Sequence, residues 1–324
     1  MRACIAGTGS YVPERILTNA DLERMVATSD DWIMERTGIR ERRIAAKGEA
    51  CSDLGTRAAE SALKAAGVSP AELDLILVAT CTGDAPLPST ACLIQHRLGA
   101  VRAAACDISA ACCGFIYALS VADAYIRTGS RHVLVVGAEV MSAITDWTDR
   151  NTCVLFGDGA GAVVLIPGEG ERGILSSHLH SDGGLWDLIC VPGGGSQVPP
   201  SEKMLVEKLQ YIKMKGNETF KVAVRTLEEV AREALAANQL SVDDIDLYVP
   251  HQANERIIKA VASRLGLPLE RVVMNMDRYG NTSAASIPLA LDEAVRAGRV
   301  KDGSLIMLGA FGSGLTWASA LIRW

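Results

Sequence analysis

Apolar positions follow two alternating rhythms along this chain. Leu73–Ala79, Ala103–Ile108 and His132–Val136 are short apolar runs, with the length and composition of buried strands. Between them the spacing is helical: Leu54, Ala58 and Leu63–Ala66 ending at Gly67, then Ser89 through Leu98, then Phe115, Leu119 and Ala122. A longer helix is predicted from about Asn217, with Phe220, Val224, Leu227, Ala231 and Leu235 on one stripe. Helices and strands alternating in this order predict an α/β fold whose sheets are covered by helices on both faces. The Gly- and Pro-rich run Val191–Pro200 reads as an exposed loop.

The pattern then repeats. Ala62, Leu63, Ala65, Ser69, Asp74 and Leu75 match Ala234, Leu235, Ala237, Ser241, Asp246 and Leu247 at an offset of 172 (234 − 62). Gly137-Ala138 answers Gly309-Ala310 at the same offset, and Arg97-Leu98-Gly99 answers Arg264-Leu265-Gly266 at 167. Ser109-Ala110-Ala111 answers Ser283-Ala284-Ala285 at 174, which sets Cys112 opposite Ser286. An ordered series of this kind predicts duplication: halves 1–171 and 172–324, stacked as a five-layer αβαβα sandwich with pseudo-twofold symmetry.

Composition narrows the class. A chain of 324 residues, 49% hydrophobic, can bury a large core in one large or two small domains. The net charge of −6 speaks against general nucleic-acid binding. No apolar run reaches membrane-spanning length, and the strand-like Ala3–Ala6 stands where a signal peptide would, so a cytoplasmic protein is expected. The nine cysteines form no Cys-x-x-Cys pair and have no zinc-like histidine spacing. They read mostly as small buried hydrophobes in a reducing compartment, and no metal is expected. Gly7-Thr8-Gly9 and Gly157-Asp158-Gly159-Ala160-Gly161 lack the helix that a phosphate cradle needs, so they read as turns or tight strand packing.

Candidate chemistry sits at Cys112, where the run before Ser109 meets the helix that follows Gly114. A thiol there faces unpaired N–H groups and the positive end of a helix dipole, which favour the thiolate. Downstream lie Pro250-His251-Gln252-Ala253-Asn254 and Gly280-Asn281-Thr282-Ser283. Cys, His and Asn in this order suggest carbon–sulfur chemistry on thioesters.

These segments, with Asp31–Arg40, Phe156–Gly161 and the tail Ala310–Trp317, resemble β-ketoacyl-acyl-carrier-protein synthase III over nearly the whole chain. The resemblance implies a thiolase-type fold and an acyltransferase that starts fatty-acid synthesis. An acyl-CoA primer would acylate Cys112, and malonyl-carrier protein would then decarboxylate and condense with it, with no cofactor beyond these substrates. His251 and Asn281 would donate to the enolate, and the backbone N–H groups of Cys112 and Ser313 would face the oxyanion. Thr28, Trp32, Arg36, Arg150, Asn217 and Asn254 would bind coenzyme A and its pantetheine arm. Lys221, Gln252, Ala253, Asn254, Glu255 and Arg256 would receive the acidic acyl carrier protein. Leu87 and Phe311 would wall the acyl pocket, Leu87 by reaching across a homodimer interface. Two departures stand out: Ser313 replaces a glycine common in the family's tail motif, with a penalty if that position needs positive φ, and Cys113 follows the nucleophile where alanine is common. A condensing enzyme of secondary metabolism would share every one of these residues. A Cys-His-Asn hydrolase shares the triplet but not the internal repeat.

Overall fold

The computed structural model describes residues 1–324, and its strands form two principal sheets. In the first, β1 (Arg2–Tyr11), β2 (Leu75–Ala79), β3 (Ala104–Ile108), β4 (Val133–Val140) and β5 (Asp158–Gly168) lie in the order β1-β5-β4-β2-β3. In the second, β6 (Gly173–Ser181), β7 (Leu247–Pro250), β8 (Leu305–Gly312) and β9 (Thr316–Arg323) lie in the order β7-β8-β9-β6. The pairings correspond: β2 is parallel to β4 as β7 is to β8, and each of β4 and β8 is antiparallel to the strand that follows it. A lone bridge from Tyr248 to Val272 stands where β3 stands in the first sheet.

Alternation along the strands sorts residues between layers. Leu75 and Leu77 of β2 face inward with Leu247 and Val249 of β7. Between them run α4 (Gly114–Arg127) and α7 (Ser286–Arg296), which contribute Phe115, Leu119, Ile287 and Leu291. Ile76 and Val78 face out, onto α2 (Cys51–Ala66) and α3 (Thr90–Leu98). Tyr248 and Met307 face out on the other side, onto α5 (Gly216–Ala237) and α6 (Glu255–Leu265). The result is the expected αβαβα sandwich. Burying each such Leu, Ile or Phe is worth about 1.5–3 kcal/mol, so these layers fix the relative positions of everything between the sheets.

The glycine-rich runs are packing features. Gly157–Gly161 leads into and lies within β5, and a Cβ on Gly9 would sit 2.3 Å from the Ala62 nitrogen of α2. No helix is long and apolar enough to cross a membrane.

The structure departs from the sequence-based expectation at two places. Strand β3 is not buried: it ends its sheet with β2 as its one neighbour, and Ala104 and Cys106 are exposed. An apolar run specifies a strand but not whether another strand covers its far edge. The pairing of Cys112 with Ser286 is also wrong. The short 3₁₀ turns Ala111–Cys113 and Ser283–Ala285 correspond, each opening on a residue with positive φ: Ala111 at 45° and Ser283 at 49°. That match restores the offset of 172 (283 − 111) and sets Ala284 opposite Cys112.

Candidate functional site

The turn Ala111–Cys113 joins β3 to α4, with Cys112 at its centre. Left-handed backbone costs an alanine on the order of 1–2 kcal/mol, a strain tolerated where surrounding structure holds the turn in place. Its consequence is a division between neighbouring thiols. Cys113 is fully buried and donates to the Thr316 carbonyl at 3.3 Å. Cys112 instead lines a cavity of about 530 Å³, together with Cys81, Met141, Phe156, Phe220, His251, Asn281, Phe311 and Ser313.

Strand β8 ends against the same turn. A Cβ on Gly312 would lie 2.8 Å from the Cys112 nitrogen, so this approach requires glycine. Ser313 follows, and its hydroxyl donates to the Ile189 carbonyl at 2.5 Å. The positive φ in this tail belongs to Gly314, at 139°, so the conditional penalty for a serine at position 313 does not arise.

His251 follows β7, where its N–H donates to the Gly309 carbonyl at 2.8 Å. Its Nδ1 lies 2.6 Å from Ser286 Oγ, and the ring is 6% exposed. Asn281 is pinned through its backbone to Leu155 and Gly157. Its side-chain Oδ1 accepts from the Ser283 N–H at 2.8 Å, and no protein group accepts from its Nδ2. The amide therefore turns its two N–H donors to the cavity.

Burial controls the titration of the site. It pushes the Cys112 thiol up to about 12, against a hydrogen bond from Ser283 that lowers it, and pushes His251 down to about 3. The expected thiolate is therefore not the resting form: desolvation outweighs the helix end, and a thiol shares the cavity with a neutral imidazole. Below them Glu139 is fully buried, its carboxyl raised by burial and held by Thr80, Thr82 and the Cys81 N–H. Glu139 is not among the residues predicted from sequence, although it is a lone carboxylate in the apolar strand Val133–Val140.

The remaining predicted residues surround the mouth unevenly. Ala253 and Asn254 line the cavity, but the Asn254 amide caps α6 through the Arg256 N–H and donates to the Arg36 carbonyl at 2.9 Å. The Arg256 guanidinium stands 5.5 Å from the Phe220 ring, and Lys221 and Asn217 are exposed on α5. Glu255 pairs with Lys259 at 2.8 Å. Gln252 cannot meet a docking protein: it is 1% exposed, and its amide is bound to Pro250, Val273 and Asn275. Trp32 lies on α1 (Asp30–Thr37) with the guanidinium of Arg150 at 3.8 Å from its ring and that of Arg36 at 4.7 Å. Thr28 Oγ1 and Arg150 Nε are buried without partners in the same region. Leu87 is 85% exposed and lines no part of this chain's own cavity.

Comparison with known proteins agrees over the full length. Residues 106–183 match the family model described as 3-oxoacyl-[acyl-carrier-protein (ACP)] synthase III, and residues 235–324 match its C-terminal model. A β-ketoacyl-[acyl-carrier-protein] synthase III of Alkalilimnicola ehrlichii is 58% identical over 324 residues, covering 99% of both chains. That of Xanthomonas campestris pv. campestris is 56% identical, covering 99% of this chain and 98% of its own. The crystal structure of 3-oxoacyl-[acyl-carrier-protein] synthase III from Aquifex aeolicus VF5 has a TM-score of 0.93 at 50% identity, covering 99% of this chain and 100% of that one.

Proposed function

The chain belongs to the β-ketoacyl-[acyl-carrier-protein] synthase III family, and from that premise we propose how its residues divide the work. The enzyme is an acyltransferase that initiates fatty-acid synthesis. In the first half-reaction Cys112 attacks the carbonyl of an acyl-CoA. The new bond is Cys112 sulfur to acyl carbon, the broken one is acyl carbon to coenzyme A sulfur, and the thiol proton ends on the leaving coenzyme A. The oxyanion lies against the backbone N–H groups of Cys112 and Ser313, held together by the close passage at Gly312.

In the second half-reaction malonyl-carrier protein loses carbon dioxide and its electron pair moves into an enolate. His251 and Asn281 donate to the enolate oxygen, its carbon attacks acyl-Cys112, and the sulfur leaves and is reprotonated. The observation that carries this reading is the orientation of Asn281: with Oδ1 bound to Ser283, only donors face the substrate. A hydrolase needs a base to activate water, and burial pushes His251 down to about 3, which leaves it a poor proton acceptor while its ring N–H can still donate to developing negative charge.

The Trp32, Arg36 and Arg150 stack, with the unpartnered Thr28 and Arg150 atoms, is the assigned seat of the coenzyme A nucleotide. Asn217 and the remaining acceptor capacity of Asn254 serve the pantetheine arm. Lys221 and Arg256 draw in the acidic carrier beside Ala253 and Glu255, while Gln252 only shapes the loop. Leu87, the 80%-exposed Val101 and the free edge of β3 suit a second copy of the chain, with Leu87 entering the partner's acyl pocket beside its Phe311. Analytical ultracentrifugation tests that assembly: dimers that Val101→Glu dissociates support it, and a monomeric native protein refutes it. The functional test is product analysis with acyl-CoA. Turnover that requires malonyl-carrier protein and yields a β-ketoacyl product is expected, and steady release of free acid without the carrier would overturn the reading.

A further inference from the structure

His251 and its neighbours allow one complete pairing of their protons. Ser286, the first residue of α7, is 1% exposed. Its Oγ accepts from the Gln252 N–H at 3.3 Å and lies 2.6 Å from His251 Nδ1; no other hydrogen-bonding group is within reach of that oxygen. If Nδ1 carried the ring proton, Ser286 would accept twice and its own buried hydrogen would have no acceptor, an expensive arrangement in a dry interior. If Nδ1 is bare, the serine O–H donates to it, the Gln252 N–H donates to the serine, and every group is satisfied.

We propose that Ser286 is a positioning residue that fixes His251 as the Nε2–H tautomer, so that the ring meets the substrate as a hydrogen-bond donor. The assignment rests on the donor role given to His251 above and extends it. The serine sits on the central helix α7, two residues beyond the counterpart of the nucleophile, and acts through the imidazole without touching the substrate. Asn281 is oriented by the same device, a neighbouring group that occupies its acceptor, here the Ser283 N–H on Oδ1. The turn that begins at Ser283 and the helix start that follows it thus orient both enolate donors.

Nitrogen NMR of protein labelled with ¹⁵N-histidine reads the tautomer directly in the native enzyme. The chain has five histidines, and the His251 signals are those lost in His251→Asn. A protonated Nε2 with an unprotonated Nδ1 is expected; a protonated Nδ1 would overturn the proposal. Ser286→Ala should shift the His251 nitrogen signals toward a mixture of tautomers. It should also lower the condensation kcat by about 10- to 100-fold, the scale of weakening one preorganised donor, while acylation by acyl-CoA and the KM for malonyl-carrier protein stay near native. Ser286→Thr, which keeps the hydroxyl, should restore the signals and most of the rate. An unshifted spectrum and unchanged condensation in Ser286→Ala would refute the positioning role. Normal condensation by His251→Ala would instead remove the donor role itself, and the spectrum would still decide the tautomer.

Discussion

At Ala111 the chain turns through φ 45° into a 3₁₀ turn and then α4; at Ser283 it turns through φ 49° into a 3₁₀ turn and then α7. The two turns meet between the sheets, and their side chains differ. The first presents Cys112, the proposed nucleophile, to the cavity. The second has Ala284 at that place and surrounds it with groups that orient others: Asn281 before it, the Ser283 N–H within it, and Ser286 just after it. In the proposed mechanism one backbone device therefore serves bond formation in one half and charge stabilisation in the other. The lesson is that strain at a turn positions side chains, while the identity of those side chains decides the chemistry.

Removing the thiol tests the first turn with the largest effect. Cys112→Ala should abolish acyl-enzyme formation, because the adjacent Cys113 is sealed in the core and cannot substitute. Mass spectrometry after acyl-CoA treatment would show no added acyl mass; an acylated Cys112→Ala protein would break the comparison at once.

Titration separates the turns from opposite ends of the pH scale. The unfolded chain takes up a proton at His251 below about 6.5, but the folded site refuses it until about 3, so stability should fall as pH drops through that window. At Cys112 the unfolded thiol ionises above about 9.0 while the folded one holds its proton to about 12, so stability should fall as pH rises through that range. Denaturation midpoints across pH would check both. His251→Asn should lessen the acid-side loss, and Cys112→Ala should remove only its share of an alkaline limb to which the burial-raised Cys113, Cys153 and Tyr279 also contribute; either variant lessening the opposite limb would contradict the assignment.

The smallest effect belongs to the neighbour of Cys112. Cys113→Ala should leave acylation and condensation within about twofold and cost about 1 kcal/mol of stability, the scale of a trimmed core side chain. Iodoacetamide should label Cys112 before Cys113, which peptide mapping would resolve.

Much of this arrangement was legible in the sequence. The run before Ser109 and the helical spacing after Gly114 locate Cys112, and the repeat at 172 residues predicts two matching sheets. His251 after an apolar strand and Asn281 in a Gly-Asn-Thr turn are each ordinary loop residues alone; their order after Cys112 and the family resemblance of their segments make them legible. What the sequence hid depends on long-range closure. Ser286 looks like an ordinary helix-start serine, and its partner lies 35 residues away. Gln252 looks like a surface residue beside Asn254, yet the loop turns it inward onto Val273. The apolar content of β3 says strand, and only the assembled sheet shows that its far edge is open. The thiolate expectation failed for a related reason: the helix end is local, but the burial that outweighs it comes from both halves closing over the cavity.

The central claim is that the Cys112 turn captures the acyl group while the other half drives decarboxylation, and a chase of preformed acyl-enzyme tests it most directly. Asn281→Ala is charged with acyl-CoA, freed of excess substrate, and mixed with malonyl-carrier protein while its intact mass is followed. The account predicts full acylation and then discharge slowed by about 10²–10³ relative to the native protein, the loss expected for one donor to a developing negative charge. Discharge at the native rate, or a failure to acylate at all, would contradict it.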